Sequence, residues 1–143
     1  MIFRLIYMST SNGAISEPDL EALMATARKN NARENITGVA AYHDHTFIQV
    51  LEGERDRVEA CFERICQNPM HRNVILVLSE DVESAIFDQY SMAFVPAHAD
   101  NKPTHAAFID LRELFTGRSG HQLSKDAVTA GFLSTFKKAV RVH

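Results

Sequence analysis

The chain of 143 residues has no tryptophan, only two cysteines, four prolines and six glycines. Two cysteines cannot build a disulfide framework. Cys61 and Cys66 sit in one helical pattern at a spacing that matches no zinc or redox motif. They read as small buried hydrophobes in a reduced compartment, with the cytoplasm as the default location. The net charge of −3 gives a nucleic-acid surface no electrostatic support. No apolar run is long enough to span a bilayer. Residues 1–8 alternate and carry Arg4, so they read as a strand and not as a signal peptide. Gly-rich phosphate loops, H-E-x-x-H and G-x-S-x-G are all missing. His43-Asp44-His45 is a hairpin turn without a third metal ligand, and the other histidines are scattered. What is present is an ordinary globular composition, with length for one domain and a core of its own.

Alternation and turn chemistry give the element order. Residues 2–9 are a strand, with Phe3, Leu5 and Tyr7 on one face and Arg4, Ile6 and Met8 on the other. Ser16 is a helix N-cap, Pro18 lies in the first turn, and Leu20, Leu23, Met24 and Ala27 form the apolar stripe. Asn30 and Asn31 close that helix. Residues 36–42 and 46–51 make a hairpin, which Glu52-Gly53 stops. Residues 55–67 form a second amphipathic helix, with Val58, Cys61, Phe62 and Ile65 inward. Residues 74–78 are a continuous apolar strand, expected to be covered on both faces; residues 80–84 are an acidic loop. Residues 90–95 are the last strand, closed by Pro96.

The order βαββαββ predicts an α+β, ferredoxin-like fold: a five-stranded mixed sheet with two helices on one face. The other face shows Ile6, Met8, Ile48, Val50, Ala93 and Val95 and also needs cover. The division expected is a ligand-binding domain at 1–96 and a C-terminal helical extension at 97–143 packed on the helix-free face, within one subunit or across a dimer. In that extension 106–115 are a helix, 117–120 a break, and Ser124 caps a final helix carrying Val128, Phe132, Leu133 and Phe136.

Gln49 is the residue out of place. It shares a strand face with Phe47 and Leu51, and a buried amide without partners costs about 1–3 kcal/mol. The topology makes the first and third strands neighbours, so Tyr7 can meet Gln49. Asn31 joins them from the end of the first helix. Leu23 and Ile65 flank the space above. Such a slot suits a planar heterocycle with carbonyl and ring-nitrogen edges. Tyr7 and Gln49 can equally satisfy each other alone, and Asn31 can be a helix C-cap.

These residues resemble the BLUF family, the flavin-binding blue-light sensor module, over residues 2–95. The resemblance rests on Arg4-Leu5-Ile6-Tyr7-Met8-Ser9, Asn30-Asn31-Ala32-Arg33, Ile36-Thr37-Gly38, Phe47-Ile48-Gln49-Val50-Leu51-Glu52-Gly53, His71 and Ser91-Met92. It implies a flavin ring between the two helices, FAD as the expected form and FMN as the alternative. Tyr7 matches the photoactive tyrosine, Gln49 the switching glutamine and Asn31 the asparagine that holds the ring's carbonyl edge. Met92 matches the methionine that senses the glutamine, and Leu23 and Ile65 the residues that sandwich the ring. Two departures stand out. Tyr90 occupies the place of a frequent Trp, so a swinging tryptophan cannot apply. Ala85-Ile86 replace the Arg that often precedes Phe87, which leaves Arg28, Lys29, Arg64 and His71 as candidates for the nucleotide phosphates.

The resemblance implies a sensor and not an enzyme. Light absorbed by oxidised flavin draws an electron and a proton from Tyr7, and they return. Gln49 ends turned over or tautomerised with a new hydrogen bond to the ring carbonyl, and the absorption shifts red. Met92 and the last strand relay the change to the tail. No catalytic output domain fits after residue 96, so the signal is expected to leave through an unidentified partner protein, or through a change in a homo-dimer or larger oligomer, with neither nucleic acid nor membrane involved. The rivals are a flavin-dependent oxidoreductase, which needs a substrate pocket and a redox partner, and a cofactor-free interaction module, which would be colourless.

Overall fold

A computed structural model describes residues 1–95, 97, 98, 100–116 and 125–142. Its elements in chain order are β1 (Ile2–Ser11), α1 (Glu17–Arg33), β2 (Thr37–His43), β3 (Thr46–Gly53), α2 (Arg55–Gln67), β4 (His71–Val82), β5 (Ala93–Phe94), α3 (Lys102–Thr116) and α4 (Lys125–Val142). The strands form one mixed sheet in the order β4-β1-β3-β2-β5. β5 runs parallel to β2 and every other pair is antiparallel. This is the ferredoxin-like arrangement read from the element order. The expected break at 117–120 and the cap at Ser124 lie outside the described residues, as does Pro96.

Several boundaries differ from the sequence reading, each for a local reason. α1 passes through Asn30 and Asn31 and ends after Arg33. The stop comes from Asn35, whose φ of 55° is left-handed. Behind it, Ile36 N–H donates to the Asn31 carbonyl at 2.9 Å and Asn35 N–H to that of Ala32 at 3.4 Å. That is a Schellman-type closure with Asn in the position usually held by Gly. Glu52 and Gly53 belong to β3, because Arg4 and Phe3 of β1 pair with them. The turn after β2 is tight, with Asp44 and His45 both at positive φ, 51° and 64°, as a two-residue hairpin loop requires. β4 is longer than 74–78 and lies at the sheet edge, where two register irregularities against β1 and a positive φ at Asn73 twist it. It is therefore not covered on both faces: Leu76 is 48% exposed. β5 shrinks to two residues, since the carbonyls of Ser91 and Met92 are taken by side chains of α1 and not by a neighbouring strand. Cys61 is buried, but Cys66 is exposed and is no core residue.

Gly38 is needed where it stands. A Cβ there would lie 1.9 Å from the Val50 carbonyl oxygen of the adjacent strand. Alternation then sorts the sheet into two faces. Phe3, Leu5, Tyr7, Ala40 and Leu51 form a cluster with Met24, Val58 and Cys61 under α1 and α2. Ile6, Met8, Ile48, Val50 and Val95 form the other with Phe108, Leu111, Val128, Phe132, Phe136 and Val140 of α3 and α4. At the margin of this second face Arg4 donates to the buried Glu52 carboxylate at 2.9 Å. Glu52 also accepts from the backbone N–H groups of Ile86 and Phe87 at 2.9 and 2.8 Å, and so anchors the chain between β4 and β5.

Candidate functional site

A cleft of about 240 Å³ opens between α1 and α2 above the sheet. Its walls are apolar: Leu23, Met24 and Ala27 from α1, and Cys61 and Ile65 from α2. Its floor is the row that strand register builds across β1, β3 and β2, because Tyr7 pairs with Gln49 and Gln49 with Ala40. The small Ala40 leaves space beside Gln49. Tyr7 is 1% exposed and Gln49 8%, and the phenol donates a hydrogen bond to Gln49 Oε1. Gln49 Nε2 then donates to Met92 Sδ at 3.3 Å. The direction of the amide follows from chemistry. A thioether can only accept, so Nε2 faces Met92 and Oε1 is left for the phenol. Burial above all, with a smaller electrostatic contribution from Cys61 and Cys66, pushes the Tyr7 pKa well above the usual phenol value. Tyr7 therefore rests as a neutral donor.

Asn31 is 4% exposed and lines the cleft. One amide N–H holds the Ser91 carbonyl at 3.0 Å, which leaves a second donor for a ligand carbonyl. Asn31 is a residue of the helix body and not a C-cap. Cys61 Sγ lies 4.0 Å from Asn31 Oδ1, and burial raises its pKa, so it is a thiol.

The candidate cations separate. Arg64 and His71 line the cleft. His71 contacts Ser9 Oγ through Nδ1 at 2.6 Å and sits edge-on to Tyr7, with ring centroids 6.1 Å apart. Desolvation lowers its pKa, so at neutral pH it offers a ring nitrogen and not a charge for phosphate. Lys29 is exposed on α1 and is not among the residues lining the cleft. Arg28 turns away from it and donates from Nε to the Met92 carbonyl at 2.9 Å. Helical periodicity marks which residues are outward but not where a long side chain goes.

Sequence reasoning missed Cys61 and Asn68 as residues lining the cleft, Ser9 as the partner of His71, and the Glu52 anchor. An Arg and a Glu on otherwise apolar strand faces were the available signal for the last. The histidines are also less scattered than the sequence suggested. His43 meets His105 of α3 edge-to-face at 5.1 Å, and desolvation, then His105, lowers its pKa. Among the described residues no group of His, Cys, Asp and Glu could hold a metal ion.

The donor set fits a flavin ring. Apolar side chains stand on both sides, with amide and phenol groups at the floor, and no fixed charge lies beneath. Comparisons with known proteins point the same way. A family model described as sensors of blue light using FAD matches residues 2–93. The photoactivated adenylate cyclase subunit beta of Euglena gracilis is 35% identical over 83 residues, covering 58% of this chain and 10% of that protein. The blue light- and temperature-regulated antirepressor BluF of Escherichia coli (strain K12) is 26% identical over 138 residues, covering 95% of this chain and 33% of the relative. This chain thus spans a third or less of the length of these two relatives. Among solved structures, BlrB, a BLUF protein in its dark state, superposes with a TM-score of 0.77 at 26% identity, covering 96% of both chains. The photo-activated state of BlsA gives 0.76 at 27% identity, covering 98% of this chain and 95% of that one.

Proposed function

This chain belongs to the BLUF family, and from that premise we propose that it senses blue light through a flavin ring held between α1 and α2, over the Tyr7–Gln49 pair. The observation that carries this reading is the unbroken run of hydrogen bonds from Tyr7 through Gln49 to Met92 at the floor of the cleft. In that cleft Leu23 and Ile65 would hold the ring from either side, Asn31 and Gln49 would offer hydrogen bonds to its carbonyl edge, and Arg64 would be the cation for the nucleotide phosphates. FAD is the nucleotide favoured, as the family's own description names it.

When bound, a flavin supplies blue absorption and a transient acceptor for one electron and one proton. The remaining steps belong to the protein. Tyr7 gives up the proton at Oη together with an electron. Without that proton the phenol oxygen can only accept, so it favours the N–H end of the Gln49 amide. Gln49 turns over, which exchanges hydrogen bonds at almost no change in volume and withdraws the donor from Met92 Sδ. The proton and electron return to Tyr7, and Gln49 stays turned. In a buried site an exchange of this kind biases a two-state element.

We place the output outside residues 1–96. Residues 97–143 are read as an extension, with α3 and α4 on the opposite sheet face passing the change to an unidentified partner protein or a second copy of the chain. The relatives' names describe a cyclase and an antirepressor; sensing without catalysis is the role we assign to this module, in the cytoplasm. No described helix is long and apolar enough to cross a membrane.

The test is a lit-minus-dark absorption difference. The purified protein is expected to be yellow and to shift reversibly to the red. Tyr7→Phe and Gln49→Leu are expected to keep the colour and lose the shift. A reversible red shift intact in Tyr7→Phe would refute the mechanism.

A further inference from the structure

Two consecutive carbonyls just before β5 are held by one helix. Asn31 Nδ2 donates to the Ser91 carbonyl at 3.0 Å, and Arg28 Nε donates to the Met92 carbonyl at 2.9 Å. Arg28 and Asn31 are three residues apart, so they lie on one side of α1. Met92 is 1% exposed, and its sulfur is the acceptor for Gln49 Nε2. The residue that receives the Gln49 hydrogen bond is therefore fixed at its backbone by Arg28.

The surroundings make that fixation matter. Met92 lies outside β5, whose register with β2 covers only Ala93 and Phe94. A second cavity of about 390 Å³ adjoins it, lined by Arg28, Tyr90, Met92, Phe94 and Val140 among others. The segment thus has space to shift if it is released. Arg28 has no share in the lining of the flavin cleft.

We propose that Arg28 is a positioning residue for the photoreceptor switch: by clamping the Met92 carbonyl it aims Sδ at Gln49 Nε2 and so favours return to the resting arrangement. This inference rests on the reading of Tyr7 and Gln49 given above. A guanidinium-to-carbonyl hydrogen bond is among the stronger kind. Losing it leaves the thioether as a poorer and less well-placed acceptor. Part of that loss is felt as the turned amide swings back, so return to the dark state is expected to slow roughly threefold to tenfold.

The experiment uses the flavin-loaded full chain and compares Arg28→Ala, Arg28→Lys and, as an exposed control on the same helix, Glu21→Ala. Three quantities are read: flavin content, the rate of thermal recovery after blue light, and the position of the Gln49 side-chain amide resonance in the dark. Expected for Arg28→Ala are normal flavin content, slowed recovery and a moved Gln49 resonance. Arg28→Lys, which keeps a cationic donor, returns both toward the parent, and Glu21→Ala matches the parent. Recovery that is unchanged or faster in Arg28→Ala, or a Gln49 resonance that stays in place, overturns the proposal. Loss of flavin in Arg28→Ala also overturns it, since Arg28 would then be a binding residue. A parent protein without any light-induced shift sinks the photoreceptor reading itself, which the comparison of variants tells apart.

Discussion

The two faces of one sheet are built to opposite ends. Under α3 and α4 the centre is hydrocarbon, with the Arg4–Glu52 pair kept to its margin. Phe108, Phe132 and Phe136 are at most 1% exposed, and the last two stack at 4.1 Å. Under α1 and α2 the same strands present Tyr7 and Gln49, joined by Asn31 from α1, and a cleft remains above them. A sheet with both faces sealed would be more stable and would have nowhere to hold a chromophore. The difference teaches that one face carries the stability which allows the other to stay open and polar.

That division can be broken from either side. The largest effect on stability is expected from Phe132→Ala, which empties a ring from the sealed face and should cost about 4 kcal/mol in denaturant unfolding. The molecules that stay folded should keep their light-induced shift; its loss would mean that the faces are not separable. Next is Arg4→Met, which strands the buried Glu52 carboxylate. Its two backbone N–H partners remain, so the expected cost is about 3 kcal/mol. An Arg4→Met, Glu52→Gln double variant recovering much of that loss would confirm that the pair, and not bulk packing, is responsible.

On the open face Tyr7→Phe should cost only about 1 kcal/mol, the loss of one hydrogen bond to Gln49 Oε1, while abolishing the red shift. Melting curves and difference spectra on the same sample check both halves. The smallest effect concerns pH. His43 on the sealed side and His71 on the cleft side both have pKa values lowered from 6.5 by burial. The unfolded chain therefore takes up protons first. Their neutral forms contribute stability that is fully present above about pH 6.5 and is lost as pH falls toward the folded-state values. A melting temperature that declines modestly over that range, with a shallower decline in His43→Gln, is expected; a flat profile would contradict the partial desolvation of both rings.

Much of this was legible in the chain because period-2 alternation is local. It set the face of β1 that carries Tyr7 and the face of β3 that carries Gln49, the element order made those strands neighbours, and the hairpin turn at His43-Asp44-His45 followed from turn chemistry, although His43 itself ends β2. Asn31, Leu23 and Ile65 were found by helical spacing. The destinations of long side chains were not legible. Arg28 and Lys29 look alike as neighbouring outward cations, yet one reaches a carbonyl 64 residues away and the other stays in solvent. His71 carried no mark of the desolvation that removes its charge. Asn30 and Asn31 have the pattern of a helix end, yet α1 runs on to Arg33, because it is the left-handed φ of Asn35 that closes it.

By itself the sequence determined the order of elements, the two faces of each strand and which polar residue each strand turns to a face, since all three depend on neighbours along the chain. Tertiary structure alone decided that Arg28 clamps Met92, that Glu52 anchors the approach to β5, and that His43 meets His105. Those contacts join residues far apart in sequence, and their geometry exists only after the sheet has set its register and the helices have packed against it.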